Sequence, residues 1–432
     1  MGLFHEATAR WFAAEVGEPT AVQREAWPAI AGGGPVLVSA PTGPGKTLAA
    51  FLVWIDRLKR EAREGTLEDG LQVVYISPLK ALGNDIRENL KRPLEGIGGP
   101  EIRVAVRTGD TTASDRQKML RRPPHILITT PESLYLLLTS VRGRDMLSTA
   151  RAVILDELHV MLDNKRGAHL MLALARLDAL CGAPLQRIGL SATIRPLSLA
   201  AAYLAPGEPV SLVAPPMKKR ADMQVNSVLP DMRVMAEGSI WPDLCRAVYD
   251  QCRGMRTVIA FLEGRAPAEK LAHGVNELAG EGFARTHHGS VSREQRKEAE
   301  EQLRSGKLRL LCATSSMELG IDVGEVDLVL QIGCPLTVSG ALQRMGRAGH
   351  NPGRVSVMHI FPRTAAEGIP CALTATAALE GEIEPAKPPL NCYDVLAQHL
   401  VSMAVDSGYR VDDALAIVRR AYNFQSVSRE TL

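Results

Sequence analysis

Residues 40–47 read Ala40-Pro41-Thr42-Gly43-Pro44-Gly45-Lys46-Thr47, a glycine-containing loop closed by a lysine and a hydroxyl residue. The backbone N–H groups of such a loop, backed by a helix N-terminus, suit an anionic polyphosphate; Lys46 would reach its β and γ groups and the Thr47 hydroxyl would ligate Mg²⁺. Asp156-Glu157-Leu158-His159 stands 110 positions after Lys46. Two adjacent carboxylates fit the other half of phosphoryl chemistry, Asp156 holding Mg²⁺ through its water shell and Glu157 orienting and deprotonating an attacking water. Ser191-Ala192-Thr193 follows, its hydroxyls placed to hydrogen-bond His159 and to link hydrolysis with movement. Further on, Gln343-Arg344-Met345-Gly346-Arg347-Ala348-Gly349-His350 carries arginines at i and i+3. A helix there would aim both at a γ-phosphate, with Arg347 as an arginine finger on transition-state charge. Gly346 and Gly349 argue against a merely solvated basic helix.

The phosphate loop departs from the general pattern at two positions. Pro44 has no N–H to offer a phosphate, and Ala40 replaces the first glycine. The departures bear on affinity and leave a second reading open, that of a nucleotide-gated clamp that hydrolyses weakly.

These residues need elements to position them. Val36-Leu37-Val38 precedes the loop, and Leu48, Phe51, Leu52, Ile55 and Leu58 follow at helical spacing, so the loop joins a strand to a helix. Val73–Ile76, Val104–Val106, Ile126–Ile128 and Ala152–Leu155 are further strands separated by crossover-length segments, which is α/β winding. Ala214–Arg220, rich in proline and lysine, breaks the alternation. It then resumes at Thr257–Phe261, Leu308–Cys312, Leu328–Leu330 and Val355–Met358. The expected fold class is α/β, two doubly wound parallel-sheet domains at 1–214 and 236–385. A linker is expected at 215–235 and a partial helical segment at 386–432.

At 432 residues the chain exceeds what one core usually serves. Fifty lysines and arginines against 48 acids leave +2, so a nucleic-acid partner must meet a local groove rather than a broadly basic surface. Seven cysteines without a C-x-x-C pair indicate reduced thiols rather than zinc or an iron–sulfur cluster. The N-terminus lacks the apolar core of a signal peptide, and no apolar run approaches a membrane span of ~18 residues. A cytoplasmic protein is expected.

In this order the motifs resemble those of a superfamily 2 DNA/RNA helicase, and more narrowly the large helicase-related (Lhr) family, which implies RecA-like folds for the two sheet domains and a winged-helix-like fold for the C-terminal segment. The narrower likeness rests on Lys165–Leu170 after Asp156–His159, on Gln186–Thr193, and on a last motif ending in His350 where most relatives have arginine. The resemblance implies that Gln23 reads adenine and makes ATP the fuel, with Thr42, Gly43, Gly45, Gly320, Asp322 and Gln343 completing the nucleotide site. It assigns backbone contacts with single-stranded DNA or RNA to Pro78, Lys80, Arg107, Thr108, Gly109, Thr129, Thr130, Thr314 and Ser315. Glu263-Gly264 stands where relatives usually carry Asn-Thr.

Strand tracking through hydroxyls, amides and a few cations would be salt-sensitive and largely indifferent to sequence. The implied activity is ATP-driven 3′-to-5′ movement on single strands with unwinding of tailed duplexes, DNA repair being the expected setting and an RNA helicase the alternative. At the C-terminus, helices at Tyr393–Ala404 and Asp412–Tyr422 and a third capped by Ser428 suggest that the sequence stops inside a third domain.

Overall fold

The computed structural model describes residues 2–40, 45–216, 220–232, 239–318, 324–349, 355–406 and 408–432. Its apolar runs form two sheets. The first holds β1 (Val36–Ser39), β2 (Val73–Ile76), β3 (Val104–Arg107), β4 (Ile126–Thr129), β5 (Ala152–Leu155), β6 (Gln186–Ser191) and β7 (Ser211–Val213). Their order is β3-β4-β2-β5-β6-β1-β7 and each pairing is parallel. The second holds β8 (Ala221–Val225), β9 (Val258–Leu262), β10 (Ala284–His287), β11 (Leu310–Ala313), β12 (Leu328–Ile332) and β13 (Ser356–Phe361). These lie in the order β10-β11-β9-β12-β13-β8, again all parallel.

Both faces of a parallel sheet are covered, which is why β1, β2, β4 and β5 are buried at every residue. Alternate side chains feed two cores. Val73 and Tyr75 of β2 join the layer under helices Ala21–Ala31 and Lys46–Glu64, while Val74 and Ile76 join the layer under helix Lys165–Cys181.

That second layer is completed from the far end of the chain. Pro385–Leu432 belongs to the same compact unit as the first sheet, and β8 to β13 with their helices form the other unit, ending at Glu384. Leu396 and Met403 of helix Tyr393–Asp406 and Leu415 and Val418 of helix Val411–Val418 are buried in the first unit's core, as their spacing predicts. Tyr422 lies ring to ring with Tyr203 at 5.5 Å. Ser428 Oγ accepts the expected cap bond from Thr431 N at 3.2 Å, but residues 428–431 form turns rather than a helix.

The stretch expected as a linker contributes β8, the edge strand beside β13. In β8 only Met223 is buried, so a single inward apolar residue carries it, too little for a periodicity to reveal.

Candidate active site and strand-contact edge

Every motif of the first unit lies at the C-terminal edge of its sheet, where loops in a doubly wound fold gather ligands. The order β5-β6-β1 brings the acidic pair, the Ser191 turn and the phosphate loop side by side. The order β3-β4-β2 places the expected strand contacts on the other half of the same edge.

Gly45 caps helix Lys46–Glu64 at φ 119°, a value that favours glycine, and a Cβ there would stand 3.3 Å from Gln23 Nε2. Gln23 is buried and shares a reciprocal capping box with Thr20: Thr20 N donates to its Oε1 at 2.9 Å and its own N donates to Thr20 Oγ1 at 3.3 Å. Its Nε2 donates to Gly45 O at 3.4 Å. Gln23 therefore braces the phosphate loop, leaving one amide hydrogen and one lone pair for a nucleobase. Lys46 Nζ donates to Ala40 O at 2.8 Å and Ser191 O at 3.3 Å, so backbone carbonyls aim the ammonium where β1 and β6 end. Thr47 follows it in the first turn, half-buried.

At the end of β5, Asp156 accepts a short hydrogen bond from the Tyr75 hydroxyl, and its Oδ1 accepts from Glu157 N at 3.0 Å. Desolvation by the surrounding protein and the adjoining Glu157 carboxylate push the Asp156 carboxyl up to about 7. The Tyr75 phenol is pushed upward by its own burial and by Asp156. Glu157 sits at φ 49°, ψ 46°, left-handed for a residue with a side chain, and is buried. Strain of that kind, of order 1–3 kcal/mol, persists only where the surroundings hold it. His159 Nδ1 lies 3.5 Å from Glu157 Oε2. It accepts from Ala192 N at 3.2 Å, which leaves the ring proton on Nε2, and meets Ser191 Oγ at 3.2 Å. Ser191 thus touches both His159 and Lys46. Thr193, expected to share this coupling role, is exposed, and the second group of this turn that meets His159 is the Ala192 amide.

Along the other half of the edge Pro78 is buried after β2, and Lys80 opens helix Lys80–Gly96 with its side chain outside the described set. Thr129 Oγ1 donates to Arg107 O at 2.7 Å, Thr108 Oγ1 accepts from Asp110 N at 3.3 Å, and Thr130 caps helix Pro131–Leu138. All three threonines are buried, so their hydroxyls shape the loops rather than face outward. Two half-buried arginines stand beside them, with Asp110 exposed at the same turn. Arg116 Nη2 donates to Gly109 O at 2.9 Å, and burial together with repulsion from Arg116 lowers the pKa of the Arg107 guanidinium.

In the second unit Thr314 precedes the short 3₁₀ turn Ser315–Met317 after β11, half-buried, with Ser315 exposed. Helix Val338–Met345 carries Gln343, half-buried, and Arg344 but stops before Arg347. Gly346 is its C-cap, and Arg347 N bonds back to Arg344 O at 3.0 Å in a tightened last turn. Gly349 is explained by backbone rather than by helix, at φ 61° with a would-be Cβ 2.7 Å from Val355 O.

Arg344, expected to point at phosphate beside Arg347, is instead enclosed. Its Nη1 donates to Gln331 Oε1 at 2.6 Å and its Nε to Glu318 Oε1 at 2.7 Å, Nη2 lies 2.7 Å from Glu263 Oε1, and the guanidinium stacks over Phe261. Arg347 is also buried. Thr42, Gly43, Pro44, Gly320, Asp322 and His350 lie outside the described residues.

Sequence reasoning missed Tyr75, Arg116, Glu318 and Gln331. Tyr75 and Gln331 read only as strand residues, and Glu318 lies 26 positions from the arginine it holds.

Residues 20–200 match the model of the DEAD/DEAH box helicase, residues 242–351 the helicase conserved C-terminal domain, and residues 376–432 the winged helix domain of large helicase-related protein. The chain belongs to the Lhr-type DEAD/DEAH-box helicases. It is 43% identical to the Lhr helicase/uracil glycosylase of Escherichia coli over 99% of its own length and 32% of that protein's. It is 42% identical to the ATP-dependent helicase Lhr-Core of Methanothermobacter thermautotrophicus, over 99% and 52% respectively. Mycobacterium smegmatis helicase Lhr, solved bound to ssDNA and AMP-PNP, superposes with a TM-score of 0.92 at 45% identity, covering 99% of this chain and 57% of that one. The chain thus spans about half or less of the curated relatives compared. Both RecA-like parallel sheets and the winged-helix-like segment expected from the Lhr resemblance are present. Among the described residues no helix is long and apolar enough to cross a membrane.

Proposed function

We propose that the chain is an ATP-dependent motor that moves on single-stranded nucleic acid and separates duplexes. The observation that carries this reading is the network at the ends of β1, β5 and β6, where Lys46, Asp156, Glu157, His159 and Ser191 meet. The donor set fits ATP with Mg²⁺: a desolvated carboxyl beside a second carboxylate and a threonine hydroxyl suit a hard divalent cation, and a lysine at the phosphate loop suits polyphosphate. Thr47 and Asp156 would hold the metal, which when bound neutralises charge on the phosphates.

Glu157 orients the attacking water and takes its proton. His159, fixed by Ser191 and Ala192, lies beside the Glu157 carboxylate and ties the end of β5 to the end of β6. Arg347 stabilises charge on the transferred phosphate. Arg344 anchors the helix before it.

DNA is the favoured track, supported by the ssDNA bound in the solved Lhr chain. Arg107 and Arg116 supply cations for its phosphates, with backbone amides beside them. The direction of movement is 3′ to 5′ on the family resemblance. The test is steady-state ATP turnover with and without single-stranded DNA or RNA, followed by unwinding of duplexes with 3′ or 5′ tails. Strand-stimulated turnover and unwinding from 3′ tails are expected. Turnover indifferent to strands contradicts the motor.

A further inference from the structure

In the second sheet β9 lies between β11 and β12, so the loop after β9 occupies the middle of the C-terminal edge. On one side of it are the turns after β10 and β11, which carry Ser290, Thr314, Ser315 and Glu318. On the other is helix Val338–Met345 with Arg344. Glu263 and Gly264 of this loop, with Arg265 that opens helix Arg265–Ala279, reach both sides. Glu263 Oε1 lies 2.7 Å from Arg344 Nη2, and Arg265 Nη1 donates to Ser290 Oγ. Gly264 makes the divergence possible. It stands at φ 119°, ψ 158°, a region that side chains essentially never enter, and this reversal sends its neighbours in opposite directions.

The charge of buried Arg344 is balanced without Glu263. Glu318 already balances the guanidinium charge through Nε and Nη2, Gln331 takes an Nη1 hydrogen, and Phe261 covers the face. Glu263 adds a second carboxylate to a neutralised cation, as a charge contact while about 30% of its side chain stays exposed. Glu318 and Gln331 take three of the guanidinium's five hydrogens, so Glu263 meets one of the remaining two, at Nη2, while its charge exceeds what one cation balances. Glu263 therefore touches the arginine without being needed to neutralise it.

We propose that Glu263-Gly264-Arg265 is a positioning loop that couples the Ser290 turn to the arginine segment, so that what occupies the β10 and β11 turns sets the placement of Arg344 and, through its helix, of Arg347. The inference rests on the reading of Arg347 as the arginine finger.

Glu263→Gln and Arg265→Ala in the full chain test it. In both, the stimulation of ATP turnover by single strands should fall ~10-fold, while KM for ATP, strand-free turnover and the melting temperature stay near the parent's. Arg265→Lys, which keeps a donor within reach of Ser290, should retain most of the stimulation. Unchanged stimulation in both variants overturns the coupling. So does a loss that merely follows a fall in melting temperature, because the loop is then only structural. Amide exchange across helix Val338–Met345 needs no turnover and keeps the two readings apart. It should quicken in Arg265→Ala, and unchanged exchange overturns the link even if the parent proves not to be a strand-stimulated ATPase.

Discussion

At the edge of the first sheet two carboxylates, Asp156 and Glu157, adjoin each other, and desolvation with that neighbour pushes the Asp156 carboxyl up to about 7. At the edge of the second, one guanidinium, Arg344, lies among two carboxylates and a glutamine. Like charges are crowded in one centre and opposite charges meet in the other. Backbone strain accompanies the crowding, since Glu157 is held left-handed, whereas Arg344 sits within an ordinary helix. The difference separates two tasks. A site that acts on a ligand keeps unfavourable terms that a ligand can relieve, and a site that holds the fold together satisfies its own groups.

The largest stability effect should therefore appear in the second centre. Arg344→Ala leaves Glu318 and Glu263 without their cation and should cost about 3 kcal/mol in chemical denaturation, the scale for breaking a largely buried pair. An unchanged transition would erase the contrast between the two centres.

A second test asks whether the first unit depends on the C-terminal helices packed in it. His399 lies in a ring cluster with Tyr135 and His169, beside Arg176, whose Nη1 is 3.3 Å from its Nδ1. Burial, then His169 and Arg176, push its pKa down to about 2. The unfolded chain takes up a proton there near pH 6.5, and the folded chain does not. Stability is therefore complete above about 6.5 and falls as the pH drops below it. From pH 7.5 to 5 the loss should be about 2 kcal/mol, and His169, also lowered chiefly by burial, acts in the same direction. Melting curves of His399→Gln should show a weaker acid dependence, and an identical one would detach this cluster from the first unit's stability.

The smallest effects divide the Ser191 turn. Ser191→Ala removes the hydroxyl on His159 and should slow ATP turnover ~10-fold, while Thr193→Ala should change it less than ~2-fold. Equal losses from both would return the coupling role to Thr193.

Much of the first unit was legible because its signals are local. The phosphate loop, the acidic pair and the i, i+3, i+4 spacing of helix Lys46–Glu64 each lie within a few residues of one another. What escaped is long-range or weakly patterned. Arg344 reads as a phosphate-directed residue until β9 and β11 bring Glu263 and Glu318 beside it, 26 positions away in the case of Glu318. The packing of the C-terminal helices on the first unit is equally long-range, Arg176 meeting His399 across 223 positions. The edge strands β8 and β10 carry Asp222, Gln224, Arg285 and His287, and polar edges show little of the apolar signal by which inner strands are found.

One measurement bears most directly on the claim that the crowded carboxylates form the working centre: ATP turnover by Glu157→Gln with saturating single strands, alongside ATP binding by direct titration. The amide is nearly isosteric and cannot take the water's proton. Turnover should fall at least ~100-fold with binding and melting temperature unchanged. Turnover within ~2-fold of the parent would show that Glu157 is not the base and that the first centre's strain serves something other than hydrolysis.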